Sequence, residues 1–200
     1  MIAASAPPAA ALRLYTAEDL LRLPPDARYE LIEGELVEMA PPPGAAHGNT
    51  TMRLSAPAAA FVLDNDLGEC FTAETGFQVA RDPDTVRACD FAFVAKERLP
   101  ATLPKGYLPF APDLVMETRS PSESKRMVAD KVAMWLLAGA RLVWVLDPQA
   151  RTVTLYRAGQ TPQILGENDT LGGEDVLPGF TLALARVFRP AAPLREAETP

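Results

Sequence analysis

Two short apolar runs flanking one amphipathic segment constrain this chain more than any other feature. Asp113 to Thr118 reads as a buried strand, Leu-Val-Met flanked by acids. Leu142 to Leu146 is a continuous apolar run of the buried-strand type. Between them, Ser122 to Ala138 carries Met127, Val128, Val132, Trp135 and Leu136 at helical spacing, and Gly139 stops it. Strand, helix, strand is thus the expected centre of the fold.

The flanking segments extend this pattern. Thr16 is the expected cap of a short helix, Ala17 to Leu23, with Glu18 and Asp19 in its first turn. Tyr29 to Met39 predicts a hairpin turning near Glu33-Gly34. A loop from Pro41 to Gly48 follows and carries the single histidine, His47. Asn49 to Leu63 predicts a helix capped by Asn49 or Thr50, with Pro57 enforcing a kink or a late start. Glu69 to Ala80 reads as strand, ended by a turn at Asp82-Pro83-Asp84, and Ala88 to Val94 as a short strand opening with Asp90. Leu99 to Ala111 is a Pro-rich loop. Thr152 to Arg157 is expected to pair beside Leu142 to Leu146, with short strands and turns to Phe188. Most of the 20 prolines fall where a periodic segment ends.

Without the hairpins at each end, the order is helix, strand, strand, strand, helix, strand. That predicts an α/β (α+β) fold with one mixed central sheet and flanking N- and C-terminal strands. At 200 residues the chain is expected to be one domain over 15–188, between a disordered lead, 1–14, and a disordered tail, 189–200. Cys70 and Cys89 have no metal-ligand spacing and read as small core residues, and Trp135 and Trp144 as core. With no basic leader and no apolar run of membrane length, a reducing, cytoplasmic setting is the default expectation, with no membrane partner.

Three charged residues interrupt the apolar strands: Asp90, Glu117 and Arg119. Period-two geometry puts Glu117 and Arg119 on one face. If the strands are neighbours, Asp90 meets Glu117 across them. Two carboxylates converging at one end of a sheet are the usual protein share of a Mg²⁺ site. Each residue also has a plainer reading. Asp90 can be a turn acid, Glu117 and Arg119 a structural ion pair, Lys131 a solvated helix charge and His47 a loop cap. Glu30 can lie on the hairpin surface, although its alternation with Leu31 is compatible with pointing inward.

The order of these residues resembles the PD-(D/E)xK nuclease pattern. More narrowly, the chain resembles the Uma-two family of restriction-endonuclease-like proteins over roughly residues 15–188. The resemblance rests on Tyr29-Glu30-Leu31-Ile32-Glu33-Gly34-Glu35-Leu36, on His47 before a helix, on Val86-Arg87-Ala88-Cys89-Asp90, on Pro112-Asp113-Leu114-Val115-Met116-Glu117-Thr118-Arg119-Ser120-Pro121-Ser122, on Lys131, and on Trp144-Val145-Leu146-Asp147-Pro148. It implies a Mg²⁺- or Mn²⁺-dependent endonuclease that hydrolyses DNA phosphodiester bonds. Asp90 and Glu117 would be the metal ligands, and Arg119, Lys131 and Glu30 further active-site residues. His47 and Arg87 would contact substrate. A homo-oligomer, most simply a dimer, is the implied assembly. Two departures stand out. Cys89 replaces the family's proline before the first acid, and Arg119 fills the slot of the nuclease lysine. Arginine supplies charge but cannot act as a base, which makes Lys131 the candidate displaced lysine.

Charge bounds the partner. With 19 Lys and Arg against 26 Asp and Glu, the net charge is −7, which excludes a protein that coats nucleic acid through a broad basic surface. From Met1 to Ala40 there are seven acids and three bases, whereas Arg119 to Lys131 holds four bases and two acids. A small local nucleic-acid site therefore remains compatible. Two other readings compete: a catalytically silent binding or regulatory module, motivated by Arg119, and a structural oligomer using the apolar segment Val176 to Leu184 as its interface.

Overall fold

The computed structural model describes residues 13–24 and 26–190; most of the expected lead and tail lies outside them. Thr16 begins the first helix, α1 (Ala17–Leu21), through a reciprocal capping box. The Asp19 amide donates to its hydroxyl, and its own amide donates to the Asp19 carboxylate. The predicted hairpin forms from β1 (Tyr29–Ile32) and β2 (Glu35–Glu38). Glu33 and Gly34 turn it with φ of 49° and 80°, as a tight right-twisting hairpin requires.

The next helix departs from expectation. α2 (Ala45–Asp64) starts before Asn49, with Gly44 as its cap. His47 therefore sits in its first turn and not in a loop. Thr50 and Thr51, which looked like cap and early-helix positions, instead donate their hydroxyls to the carbonyls of Ala46 and His47, four residues back. Pro57 neither delays nor ends the helix. Leu54, Ala58 and Val62 are buried against the sheet around it, and that packing outweighs the lost hydrogen bond.

The stretch expected as one strand from Glu69 to Ala80 breaks into β3 (Gly68–Thr72) and β4 (Phe77–Ala80), which join different sheets. Likewise, Ala88 to Asp90 form a connector between β5 (Thr85–Arg87) and β6 (Phe91–Ala95). A 3-10 turn (Lys96–Arg98) and the predicted Pro-rich loop lead to β7 (Leu114–Thr118). Ser124 caps α3 (Lys125–Leu137) by accepting from the Met127 amide at 3.2 Å. Then come β8 (Leu142–Asp147), β9 (Thr152–Tyr156), β10 (Gln163–Gly166), β11 (Thr170–Gly173), β12 (Leu177–Ala183) and α4 (Ala185–Phe188).

The central sheet has the order β10-β9-β8-β7-β6-β3. Only β7 and β8 run parallel, joined through α3, so the sheet is mixed as predicted. The chain order α2-β3-β6-β7-α3-β8 reproduces the expected core once β4 and β5 are assigned to a second sheet, β2-β1-β5-β4. On one face Leu54, Ala58 and Val62 of α2 pack with Phe93, Met116 and Trp144; on the other, Val132 and Trp135 of α3 pack with Val94, Val115 and Val143.

The ribbon β11–β12 closes the α2 side. Val176, Leu177, Phe180, Leu182 and Leu184 are buried in this core, and Phe180 stacks on Trp144 at 5.8 Å. The segment proposed above as an oligomer interface is thus consumed inside the protomer, because its alternate residues face Trp144 and α2. Asp113 fastens the opposite ends of the central strands. Fully buried, it accepts from the Ala95 amide at 2.8 Å and pairs with Arg98 at 3.0 Å, while its carbonyl takes the Arg141 and Leu142 amides. Cys70 and Cys89 are free thiols, and among the described residues no helix is long and apolar enough to cross a membrane.

Candidate active site

Strand alternation sets the site. Along β7, Leu114 and Met116 face α2, while Val115 faces α3 and Glu117 follows it. The antiparallel pairing of Phe91 with Met116 brings Asp90, one step before β6, opposite Glu117. The expected meeting of the two acids therefore occurs at this register. The Thr118 amide donates to Asp90 Oδ2 at 2.6 Å, which fixes that carboxylate at the end of β7.

Glu117 is buried among unlike partners. Trp135 Nε1 donates to its Oε1 at 2.8 Å, and Lys131 Nζ stands 3.7 Å from its Oε2. Lys131 and Trp135 are one turn apart on α3, so one helix face supplies both. Burial pushes the Glu117 carboxyl up to about 7, and Asp90 adds to the rise; Lys131, Trp135 and Arg87 pull it back. Lys131 also reaches Glu123 Oε1 at 2.7 Å. Burial pulls the Lys131 ammonium down, but Glu117 and Glu123 more than offset this and hold it above its ordinary value. Burial alone would raise Glu123, yet the hydrogen bonds from Lys131 and the Ser120 amide leave it below the usual carboxylate range.

Arg119 shares the face of Glu117 but does not pair with it. The parallel register of Thr118 with Leu146 sets residue 119 beside 147, and Arg119 Nη1 binds Asp147 Oδ2 at 2.7 Å. Its Nε and Nη2 donate to the Glu123 carbonyl. The plainer reading of Glu117 and Arg119 as an ion pair is not what forms: the pairs are Arg119–Asp147 and Lys131–Glu117. Lys131 is brought to the buried acid and Arg119 is not.

The remaining predicted residues border this centre. His47 Nε2 lies 2.9 Å from the Thr118 carbonyl, so that nitrogen carries the proton and donates. Thr51 joins in: its hydroxyl, whose proton goes to the His47 carbonyl, lies 2.8 Å from the Thr118 hydroxyl and accepts from it. Glu30 accepts from the Ala88 amide at 3.1 Å, and its other oxygen is 3.0 Å from Arg87 Nε, without the alignment of a hydrogen bond. The charge of Arg87 is felt by both Glu117 and Lys131. Sequence reasoning missed Glu123, Thr51, Thr118 and Asp147, and took Trp135 as core only. A signal existed for Glu123: Ser120-Pro121-Ser122-Glu123 has the S-x-x-E spacing of a side chain that reaches back to an amide.

The donor set fits a small, hydrated divalent cation. Asp90 keeps Oδ1 and Glu117 keeps Oε2 free of hydrogen bonds among the described residues. No group of three or more His, Cys, Asp or Glu suited to a metal occurs among those residues, which disfavours an all-protein cage. Two hard oxygen ligands are the usual protein share of a Mg²⁺ or Mn²⁺ site, whose other positions are filled by water and phosphate oxygens.

A mixed sheet between α2 and α3, with Asp90 just before β6 and Glu117 near the end of β7, defines a restriction-endonuclease-like protein. The model of the Uma2 family, described as "Putative restriction endonuclease", matches residues 17–185, and the chain belongs to that family. Among solved structures it is similar to one described as a "putative nuclease belonging to DUF820" from Anabaena variabilis ATCC 29413. The TM-score is 0.72 at 21% identity, covering 86% of this chain and 97% of that one, and the likeness establishes the shared fold. No curated protein matches the chain.

Proposed function

We propose that this protein is a divalent-metal-dependent endonuclease that hydrolyses phosphodiester bonds of DNA. The observation that carries the reading is Glu117: a buried carboxylate in register with Asp90, facing the Lys131 ammonium at 3.7 Å. Asp90 and Glu117 would hold Mg²⁺ or Mn²⁺. When bound, the cation supplies Lewis-acid stabilisation of charge on the phosphoryl and leaving oxygens.

The chain's own residues do the rest. Trp135 orients Glu117 by occupying Oε1, leaving Oε2 toward the site. Lys131, held protonated between Glu117 and Glu123, is a fixed cation that stabilises charge developing on the scissile phosphate. Arg87 can receive a phosphate through terminal nitrogens that make no hydrogen bond among the described residues. His47 and Thr51 hold Thr118, whose amide in turn holds Asp90. Arg119 fixes the loop carrying Glu123 and is assigned a positioning role. The silent-module alternative drew on Arg119 in the lysine slot; the ammonium that Lys131 brings to Glu117 supports the catalytic reading over it.

Incubation of the purified full chain with plasmid and oligonucleotide DNA, with Mg²⁺ or Mn²⁺, tests this. Cleavage is expected with either ion, abolished by chelation and by Asp90→Asn or Glu117→Gln. Cleavage that survives both substitutions would sink the residue assignment.

A further inference from the structure

On the four-stranded sheet, beside the connector that carries Asp90, lies a cleft of about 250 Å³ bordered by Arg28, Tyr29, Glu30, Gly76, Arg87 and Tyr107. The hydrolytic machinery uses only its Arg87 wall. Its size lies just below the roughly 300–1,000 Å³ of sites for drug-sized ligands. It suits one flat ring system with its sugar and is too small for a segment of duplex.

The walls specify the chemistry. Gly76 makes room for the Tyr107 ring, since a Cβ at that position would stand 2.6 Å from a ring carbon. The segment bearing Tyr107 is fastened to β4 by the Gln78 amide, which donates to the Leu108 carbonyl at 2.8 Å. The ring is half-buried, set against Gly76 and the cluster of Ala17, Leu31 and Val86. Tyr29 adds a second ring that is 39% exposed. Arg87 is common to the cleft and the carboxylate centre, so a ligand occupying both would place an anionic group at Arg87 and a ring between the tyrosines. Arg28 and Glu74, loosely paired at 3.9 Å on the outer rim, leave donors and acceptors for the edge of such a ring.

We propose that this cleft receives one unstacked nucleobase of the substrate, adjacent to a phosphate at Arg87, so that the enzyme acts on single-stranded or locally opened nucleic acid. The proposal rests on the nuclease reading and narrows its substrate class. Every base offers a π-face to an aromatic platform, so this contact selects for an accessible base and only weakly for sequence. A continuous duplex keeps its bases stacked and cannot present one without opening.

The test compares two fluorescent oligonucleotides of equal length and charge, a thymidine strand and an abasic analogue, binding to the full chain without divalent cation. Anisotropy should show the thymidine strand bound at least about tenfold more tightly, the share expected of one stacked base. Tyr107→Ala should reduce it to the abasic level, leave the abasic strand unaffected, and be rescued by Tyr107→Phe. Tyr29→Ala, at an exposed position, gives a second reading if the Tyr107→Ala protein does not fold. Equal affinity for the two strands, or thymidine binding unchanged in the tyrosine variants, would overturn the base cleft. Cleavage assays with Mg²⁺ separate the two levels: cleavage with equal affinities removes the cleft alone, while absence of all cleavage removes the nuclease reading and leaves the binding comparison standing.

Discussion

At the scale of single residues, the site is a buried acid balanced between a cation, an indole and a second acid. Lys131→Met is expected to lower kcat by about 10²–10³, the usual loss for one preorganised electrostatic contact to the transition state. Steady-state kinetics checks this, and KM should change little. Arg119→Met should instead act on stability, by about 1 kcal/mol in urea unfolding, because its pair with Asp147 is partly solvated. Glu117 makes a signed pH prediction. Its carboxyl is raised from an ordinary 4.5 to about 7 by burial, so the folded state holds a proton that the unfolded state has lost between those values. Metal-free stability should therefore fall as pH rises from 4.5 to 7, stay level above, and lose this slope in Glu117→Gln. Urea titrations across that range decide it; a stability that rises over the same window would contradict the assignment. Cation binding displaces the same proton, so Mn²⁺ affinity should weaken below pH 7 and be flat above.

At the scale of elements, the strand-helix-strand centre was legible because β7 and β8 are apolar on both faces and α3 carries its buried stripe at helical spacing. The position of Asp90 opposite Glu117 followed once their strands were taken as neighbours, which the pairing of β6 with β7 bears out. The partners of Glu117 and Arg119 were not, since they depend on the register of β7 with β8 and on the approach of α3, neither of which one strand's sequence contains. The start of α2 was obscured because Asn49 and Thr50 offer cap-like side chains inside the helix, where the Thr50 hydroxyl donates to the Ala46 carbonyl. The division of Glu69 to Ala80 between two sheets is tied to Gly76 and the distant Tyr107 ring, a contact between loops. Asp113 was quoted in a motif without a role; it ties β6, β7 and β8 together. Asp113→Ala should leave the Ala95 amide unpaired and cost about 1–3 kcal/mol, read by denaturant unfolding, with Mn²⁺ affinity unchanged.

At the scale of the whole molecule, the net charge of −7 and the small group of cations near Glu117 set how nucleic acid can be held. Few phosphates can be neutralised at once, so the dependence of log Kobs on log[salt] should be shallow, with a slope of about −2 for single strands. A slope several times steeper would point to a basic surface that this chain does not present. The fold places its two carboxylates where the connector from the smaller sheet enters the central one, with Lys131 arriving from α3 and the tyrosine-walled cleft alongside. The most direct test of that arrangement is the anomalous scattering of Mn²⁺ in crystals of the full chain. The account predicts a peak in contact with both Asp90 and Glu117, lost in Glu117→Gln crystals soaked alike. A fully soaked crystal with no peak there, or with one that persists in Glu117→Gln, would contradict it.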